Sequence, residues 1–223
     1  GRGRSGDVKR RLSTLRKGMR ILEIFSGTQS LARAAQARGH EVVTLDVCPR
    51  HAPTICMDIM SWDFRALDPN TFHYIHASCP CEGYSRARST GGERPLESAD
   101  ALVNRTLEIL DHFSALWTIE NPAGSLLWKR PVAARMPTRV TTSYCRYGFD
   151  YRKSTTFASN FLLSLRPPCN RDCDAMEGGR HKAHAQKGGG GSTNRYHTTD
   201  ELHRIPPDLC DEILGQVERL TTA

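Results

Sequence analysis

Arg20-Ile21-Leu22-Glu23-Ile24-Phe25 runs into Ser26-Gly27-Thr28, then Ser30-Leu31-Ala32-Arg33-Ala34-Ala35-Gln36-Ala37, then Gly39 and Val42-Val43-Thr44-Leu45-Asp46. The first run is short, branched and apolar, and it stops at a turn-forming Ser26-Gly27, so it reads as a buried strand. The alanine-rich run forms helix readily, and Gly39 sits where a helix would stop. Strand, glycine turn, helix, strand and acid follow one another within 27 residues. That is the opening of a nucleotide-binding α/β unit.

The alternation continues outward. Thr54-Ile55-Cys56 leads to Asp58, and Phe72 to Ala77 leads to Ser78-Cys79-Pro80-Cys81. Residues 97–115 read as a helix, and Leu116-Trp117-Thr118-Ile119 is a strand that delivers Glu120-Asn121-Pro122. Val140 to Tyr144 and Thr155 to Ala158 are later strand candidates. Repeated alternation predicts an α/β fold, Rossmann-like, with a mostly parallel sheet flanked by helices and antiparallel strands at one edge. The rhythm breaks over 165–196, rich in Pro, Gly, Cys and His, where Gly188 to Ser192 reads as a flexible linker. Asp208 to Leu220 reads as a closing helix. The expected division is a basic arm (1–18), an α/β domain (19–164), a small loop-rich insert (165–196) and a C-terminal helical segment (197–223).

The 223 residues carry a formal net charge of +7. Residues 1–20 hold eight basic side chains against one acid, which accounts for the whole excess. Such an arm is an electrostatic partner for phosphate, or else a solvated tail. No apolar run approaches the roughly 18 residues of a membrane span, and no secretory signal pattern is visible. Eight scattered cysteines in a chain with its own core point to reduced thiols. A soluble intracellular protein of nucleus or cytoplasm is the expectation.

In such a sheet, ligands bind at the carboxyl ends of the strands. The segments found there are Phe25-Ser26-Gly27, Asp46, Asp58 and Pro80-Cys81. Asp46 is well placed to accept from ribose hydroxyls. The first turn has no full glycine-rich phosphate cradle, because Gln29 and Ser30 follow Thr28. That favours a nucleoside-type cofactor without pyrophosphate, such as S-adenosylmethionine. Asp58 has a second reading, as a helix N-cap before Trp62.

Pro80-Cys81-Glu82-Gly83-Tyr84-Ser85 and Glu120-Asn121-Pro122, in order with Phe25-Ser26-Gly27, Asp46, Asp58 and Tyr147-Gly148, sharpen this. Over residues 20–160 the chain resembles the cytosine-C5 methyltransferase family, in a compact form like that of viral and phage members. The resemblance implies an S-adenosylmethionine-dependent methyltransferase fold and methyl transfer to C5 of cytosine in DNA, with the target base flipped out of the helix. RNA or a free cytosine nucleotide is the alternative substrate, and a non-catalytic nucleic-acid-binding relative is the alternative protein.

By the same resemblance Cys81 is the nucleophile and Glu120 the acid that holds the ring. Phe25, Ser26 and Gly27 pack around the cofactor. Asp46 takes its ribose, Val47 and Asp58 take its adenine, and Pro80 touches it while positioning Cys81. Two departures stand out. Cys79 occupies a position that is usually proline, and is assigned to packing. After Tyr147-Gly148 the family commonly continues Gln-x-Arg-x-Arg, whereas Lys153 stands here at the first arginine position and Thr155 at the second. Lys153 is left to contact base or phosphate without a bidentate fork, with Arg152 beside it as the residue that could compensate.

In the insert, Cys169-x3-Cys173 precedes His181 and His184. Thiols and imidazole there suit a structural zinc ion, with Cys169, Cys173 and His181 as candidate ligands. Arg180 and Lys182 nearby would face phosphate if the insert contacts DNA. Scattered polar residues in a solvated loop are the other reading.

Overall fold

A computed structural model describes residues 18–85, 95–187 and 195–222; the basic arm at 1–17 and the glycine-rich stretch at 188–192 lie outside them. Seven strands form one sheet: β1 (Arg20–Ile24), β2 (Glu41–Asp46), β3 (Ile55–Cys56), β4 (Tyr74–Ser78), β5 (Leu116–Pro122), β6 (Arg139–Ser143) and β7 (Ser154–Ser159). Their spatial order is β3-β2-β1-β4-β5-β7-β6. The first five pair in parallel, while β7 runs antiparallel between β5 and β6. The expected parallel sheet with an antiparallel edge is therefore present.

The central strands are buried on both faces, which is why they read as apolar runs rather than alternating ones. On one face lie α1 (Ser30–Ala37) and α4 (Pro207–Thr221), packed with Ile21, Tyr74 and Phe157. On the other lies α2 (Leu96–His112), with Trp62, Phe64, Phe72 and Phe113 in an aromatic cluster. Gly39, at φ 83°, turns the chain out of α1 as expected. The α1–β2 corner is latched to α4 through Glu218, which accepts from Arg38 at 2.7 Å and pairs with His40 at 2.8 Å.

Three boundaries differ from the sequence expectation. The helix read at 97–115 ends at His112, because Phe113 turns extended to join the aromatic cluster and Ser114 N donates to Pro69 O. The C-terminal segment holds a second helix, α3 (Thr199–His203), with a capping box between Thr198 and Glu201. The insert is not wholly loop. It carries a two-residue hairpin, β8 (Met176–Glu177) with β9 (Arg180–His181), turned by Gly178 and Gly179 at positive φ. β10 (Ala183–Lys187) and β11 (Arg195–His197) form another short pair. Among the described residues no helix is long and apolar enough to cross a membrane.

Candidate active site

The parallel strands all point their carboxyl ends the same way, so the four loops singled out in the sequence meet along one edge. After β1 the backbone is unusual: Phe25, Gly27 and Gln29 all have φ between 42° and 58°. Non-glycine residues rarely adopt this region, and strain of this kind concentrates at ligand sites. Gln29 is held there by its side chain, whose Nε2 donates to His51 O at 2.6 Å. Asp46 accepts from Gly27 N through Oδ2 and from Cys48 N through Oδ1, both at 2.8 Å. These bonds fix the carboxylate and still leave each oxygen a lone pair. Asp58 is exposed and accepts from Met60 N at 2.9 Å, capping the 3-10 turn Ile59–Ser61. The capping reading of Asp58 therefore holds, with its second oxygen uncommitted to that bond.

Apolar surface lies beside these acids. Val47 is 66% exposed, and Met57 and Met60 are 41% and 48% exposed. Met57 N donates to Asp46 O, so the β2 and β3 ends are tied together under this rim. Ser26 is buried, and its Oγ has no hydrogen-bond partner among the described residues. Fixed carboxylates, an uncovered apolar rim and an orphaned hydroxyl suit a nucleoside with ribose hydroxyls and a flat base.

The second half of the site lies on β4 and β5. Their register sets Ser78 opposite Glu120, three residues before Cys81. Asn121 Nδ2 donates to Cys79 O at 2.8 Å, fastening the Glu120-Asn121-Pro122 loop to the Pro80-Cys81 loop. Trp128 Nε1 donates to Pro122 O at 2.9 Å and holds the first loop from behind. Beyond Cys81, Tyr84 is fully buried and its hydroxyl donates to Asp100, which Arg130 also grips. Pro80 and Cys81 are half-buried. Cys79 is a packing residue, as expected: it is buried against Thr106 on α2, and burial pushes its thiol up to about 12.

Burial raises the Glu120 carboxyl above the usual carboxylate range. The Lys153 ammonium draws it back, as do the nearby hydroxyls of Ser78 and Tyr144 and the His203 ring. Burial also raises the Cys81 thiol, helped by the carboxylates of Glu82 and Glu120 and opposed by Lys153. One ammonium thus acts on both groups. Lys153 Nζ sits 4.8 Å above the Tyr144 ring and donates to Leu202 O at 2.9 Å. Glu120 Oε1, Asn121 Oδ1, Tyr144 OH and Thr155 Oγ1 are buried without a well-formed hydrogen bond among the described residues, although the Tyr144 hydroxyl stands close to both Glu120 and Thr155. An orphaned buried polar atom costs roughly 1–3 kcal/mol, so a group of them marks where a polar ligand would be welcome.

Beneath Glu120 runs a polar ladder. Thr118 Oγ1 bonds both the Tyr74 hydroxyl and His76 Nδ1, and His76 Nε2 reaches Ser78 Oγ at 3.1 Å. Burial holds His76 neutral, down at about 3. Sequence reasoning missed His76, Tyr144, Leu202 and His203. Only the capping box Thr198-x-x-Glu201 signalled that the last two lie on a helix.

The insert brings together Cys169, Cys173 and His181, as the sequence suggested, and adds Cys145 from the turn after β6. His184 is exposed and outside this group. Arg180 and Lys182 are exposed. A separate cavity of about 670 Å³ opens between α1, the 148–151 turn and α4; Thr28, Arg33, Asp150 and Arg204 are among its lining, and none of the predicted site residues is.

No protein-family model matches the chain. A frog virus 3 (isolate Goorha) protein named a probable DNA (cytosine-5)-methyltransferase is 29% identical over 216 residues, covering 88% of this chain and 99% of that one. Among solved structures, S. pombe Dnmt2 methyltransferase aligns over 74% of this chain at 16% identity and a TM-score of 0.49. A Spodoptera frugiperda DNMT2 mutant aligns over 67% at 12% identity and a TM-score of 0.42. The chain spans 59% and 53% of those two structures' lengths. The architecture rests on the strand order itself, that of a doubly wound, mostly parallel α/β sheet with an antiparallel edge. Along nearly its whole length the chain is thus similar to that viral protein.

Proposed function

We propose that the chain transfers a methyl group from S-adenosylmethionine to C5 of cytosine in DNA, through a covalent bond between Cys81 and C6 of the base. The observation that carries this reading is Glu120. Its Oε1 is buried without a well-formed hydrogen bond, and its carboxyl is raised by burial, on the strand end next to a half-buried cysteine loop. A carboxyl raised in this way takes up a proton more readily, and in the protonated form it can donate to a ring nitrogen. The viral relative's name supports DNA as the substrate.

The C5 carbon of cytosine is too weak a nucleophile to attack a sulfonium methyl unaided. Cys81, as thiolate, adds its electron pair to C6, and the Glu120 carboxyl holds and protonates N3 as charge builds there. C5 then has enamine character. The bound cofactor supplies an electrophilic methyl group. After transfer, loss of the C5 proton and β-elimination regenerate the C5–C6 double bond and release the Cys81 thiolate. Asp46, Val47, Asp58 and the Phe25-Ser26-Gly27 turn would hold the adenosine, Pro80 would separate the two compartments, and Lys153 would face the base or its phosphate. A stacked base exposes neither face to a thiol, so the cytosine must leave the duplex.

The test is the product. The chain is incubated with methyl donor and, in parallel, unmodified DNA, RNA or dCMP, and nucleosides are identified by mass spectrometry. 5-Methyldeoxycytidine from DNA, lost in Cys81→Ala while cofactor binding persists, is expected. Methylation confined to RNA or dCMP would reassign the substrate, and equal loss of transfer and cofactor binding in Cys81→Ala would make the cysteine structural.

A further inference from the structure

Residues 167–185 have little of their own to fold around. Among them only Cys169, Ala175 and Ala183 are buried. A segment with so small an apolar centre needs another source of stability. At that centre the ligand atoms of Cys145, Cys169, Cys173 and His181 all lie within 4.8 Å of one another. His181 Nε2 is 3.5 Å from the sulfurs of both Cys169 and Cys173. A tetrahedral ion with Zn–S of about 2.3 Å and Zn–N of about 2.0–2.1 Å sets N···S at about 3.5 Å and S···S at about 3.8 Å. The two N···S distances match that geometry, and all four ligand atoms lie close enough together to draw in around one ion. None of the three cysteines is in a disulfide.

We propose that Cys145, Cys169, Cys173 and His181 form a structural zinc site that fastens the insert to the turn behind the catalytic loops. Three thiolates and one imidazole in a compact, closed set suit zinc, and four protein ligands leave no open position for chemistry. The ligands come from three places that the site joins: the Tyr144–Tyr147 turn, the Cys169–Cys173 knuckle and the β8–β9 hairpin. Hydrogen bonds around the ligands hold them in position. Cys169 N donates to Ser143 Oγ at 3.0 Å, and Arg146 reaches across to Asp172 at 2.6 Å. The Arg146 guanidinium, ion-paired with Asp172, is near enough to Cys169 and Cys173 to interact with them electrostatically and ties the knuckle to the turn that carries Cys145. Cys145 directly follows Tyr144, whose ring lies under Lys153. The ion would thus also fix one wall of the base-binding side.

Elemental analysis of the full chain, purified without chelator, should find a single zinc. Cys145→Ser should lose it, while Cys48→Ser, at an exposed thiol outside the cluster, should keep it. Cobalt substituted for zinc should give the absorption of a tetrahedral thiolate site. A folded chain free of metal would overturn the proposal, as would zinc undiminished in both Cys145→Ser and Cys169→Ser. If Cys145→Ser fails to fold, chelation of the wild-type chain decides. Tryptic cleavage between Arg166 and Lys182 should accelerate on zinc removal and be suppressed by zinc re-addition, and indifference to both would contradict the site.

Discussion

Lys153 is the side chain through which the two groups proposed to react, Cys81 and Glu120, are tuned together. Its ammonium lowers both the Cys81 thiol and the Glu120 carboxyl, each of which burial has raised. Thiolate formation gives activity a rising limb with pH, and loss of the Glu120 proton gives it a falling one. Lys153→Met removes the charge that favours ionisation of both, so both limbs should move to higher pH. A pH profile of kcat/KM measures this; limbs that stay in place would mean the lysine only contacts phosphate. At this scale the sequence was legible where residues are neighbours in the chain. Pro80-Cys81 and Glu120-Asn121-Pro122 declare themselves as short motifs. Tyr144, Cys145 and His203 do not, because only folding carries them to Glu120 or to the insert thiols.

Between elements, Glu23 links β1 to α1. Its carboxylate lies in the core, 2% exposed, and accepts from Leu31 N at 3.3 Å and Ala32 N at 3.0 Å at the start of the helix. Burial dominates and raises it to about 8, although both amides oppose the shift. The folded chain therefore holds a proton that the unfolded chain releases near pH 4.5. That contribution to stability is fully present below about pH 4.5 and is lost as pH rises through about 8. Glu23→Gln, which does not titrate and whose single oxygen can accept from one of the two amides, should flatten this dependence, at some cost in stability at every pH. Between pH 5 and 8.5 the wild type should lose at least about 1.4 kcal/mol relative to the variant, the free energy of a tenfold change in the folding equilibrium. Parallel denaturation curves across that range would contradict it. Element identity was legible because apolar runs ended at turn residues, as at Ser26-Gly27 and Gly39. Ends were less so: α2 stops where Phe113 finds aromatic partners, a tertiary choice that no local pattern records.

Across the whole molecule, the sheet brings two compartments edge to edge. The β1–β3 ends form an apolar-rimmed, acid-flanked half suited to a nucleoside, and the β4–β5 ends form a half with cysteine, buried acid and lysine. The C-terminal segment closes the second half, since Leu202 on α3 accepts from Lys153 and α4 is latched to the α1–β2 corner. The alternation of strands and helices was readable from the sequence because the central parallel strands, β1 and β4 above all, are buried on both faces. The insert was not readable in the same way, because its centre is made of thiols and imidazole rather than a periodic apolar face. The central claim, a transient bond between Cys81 and the base, has a direct measurement. DNA carrying 5-fluorocytosine cannot lose its C5 substituent as a proton, so the adduct should accumulate once the methyl group has transferred. The account predicts a denaturation-resistant protein–DNA complex that requires methyl donor, maps to Cys81 and is absent in Cys81→Ser. Binding of both DNA and methyl donor with no covalent complex formed would contradict it.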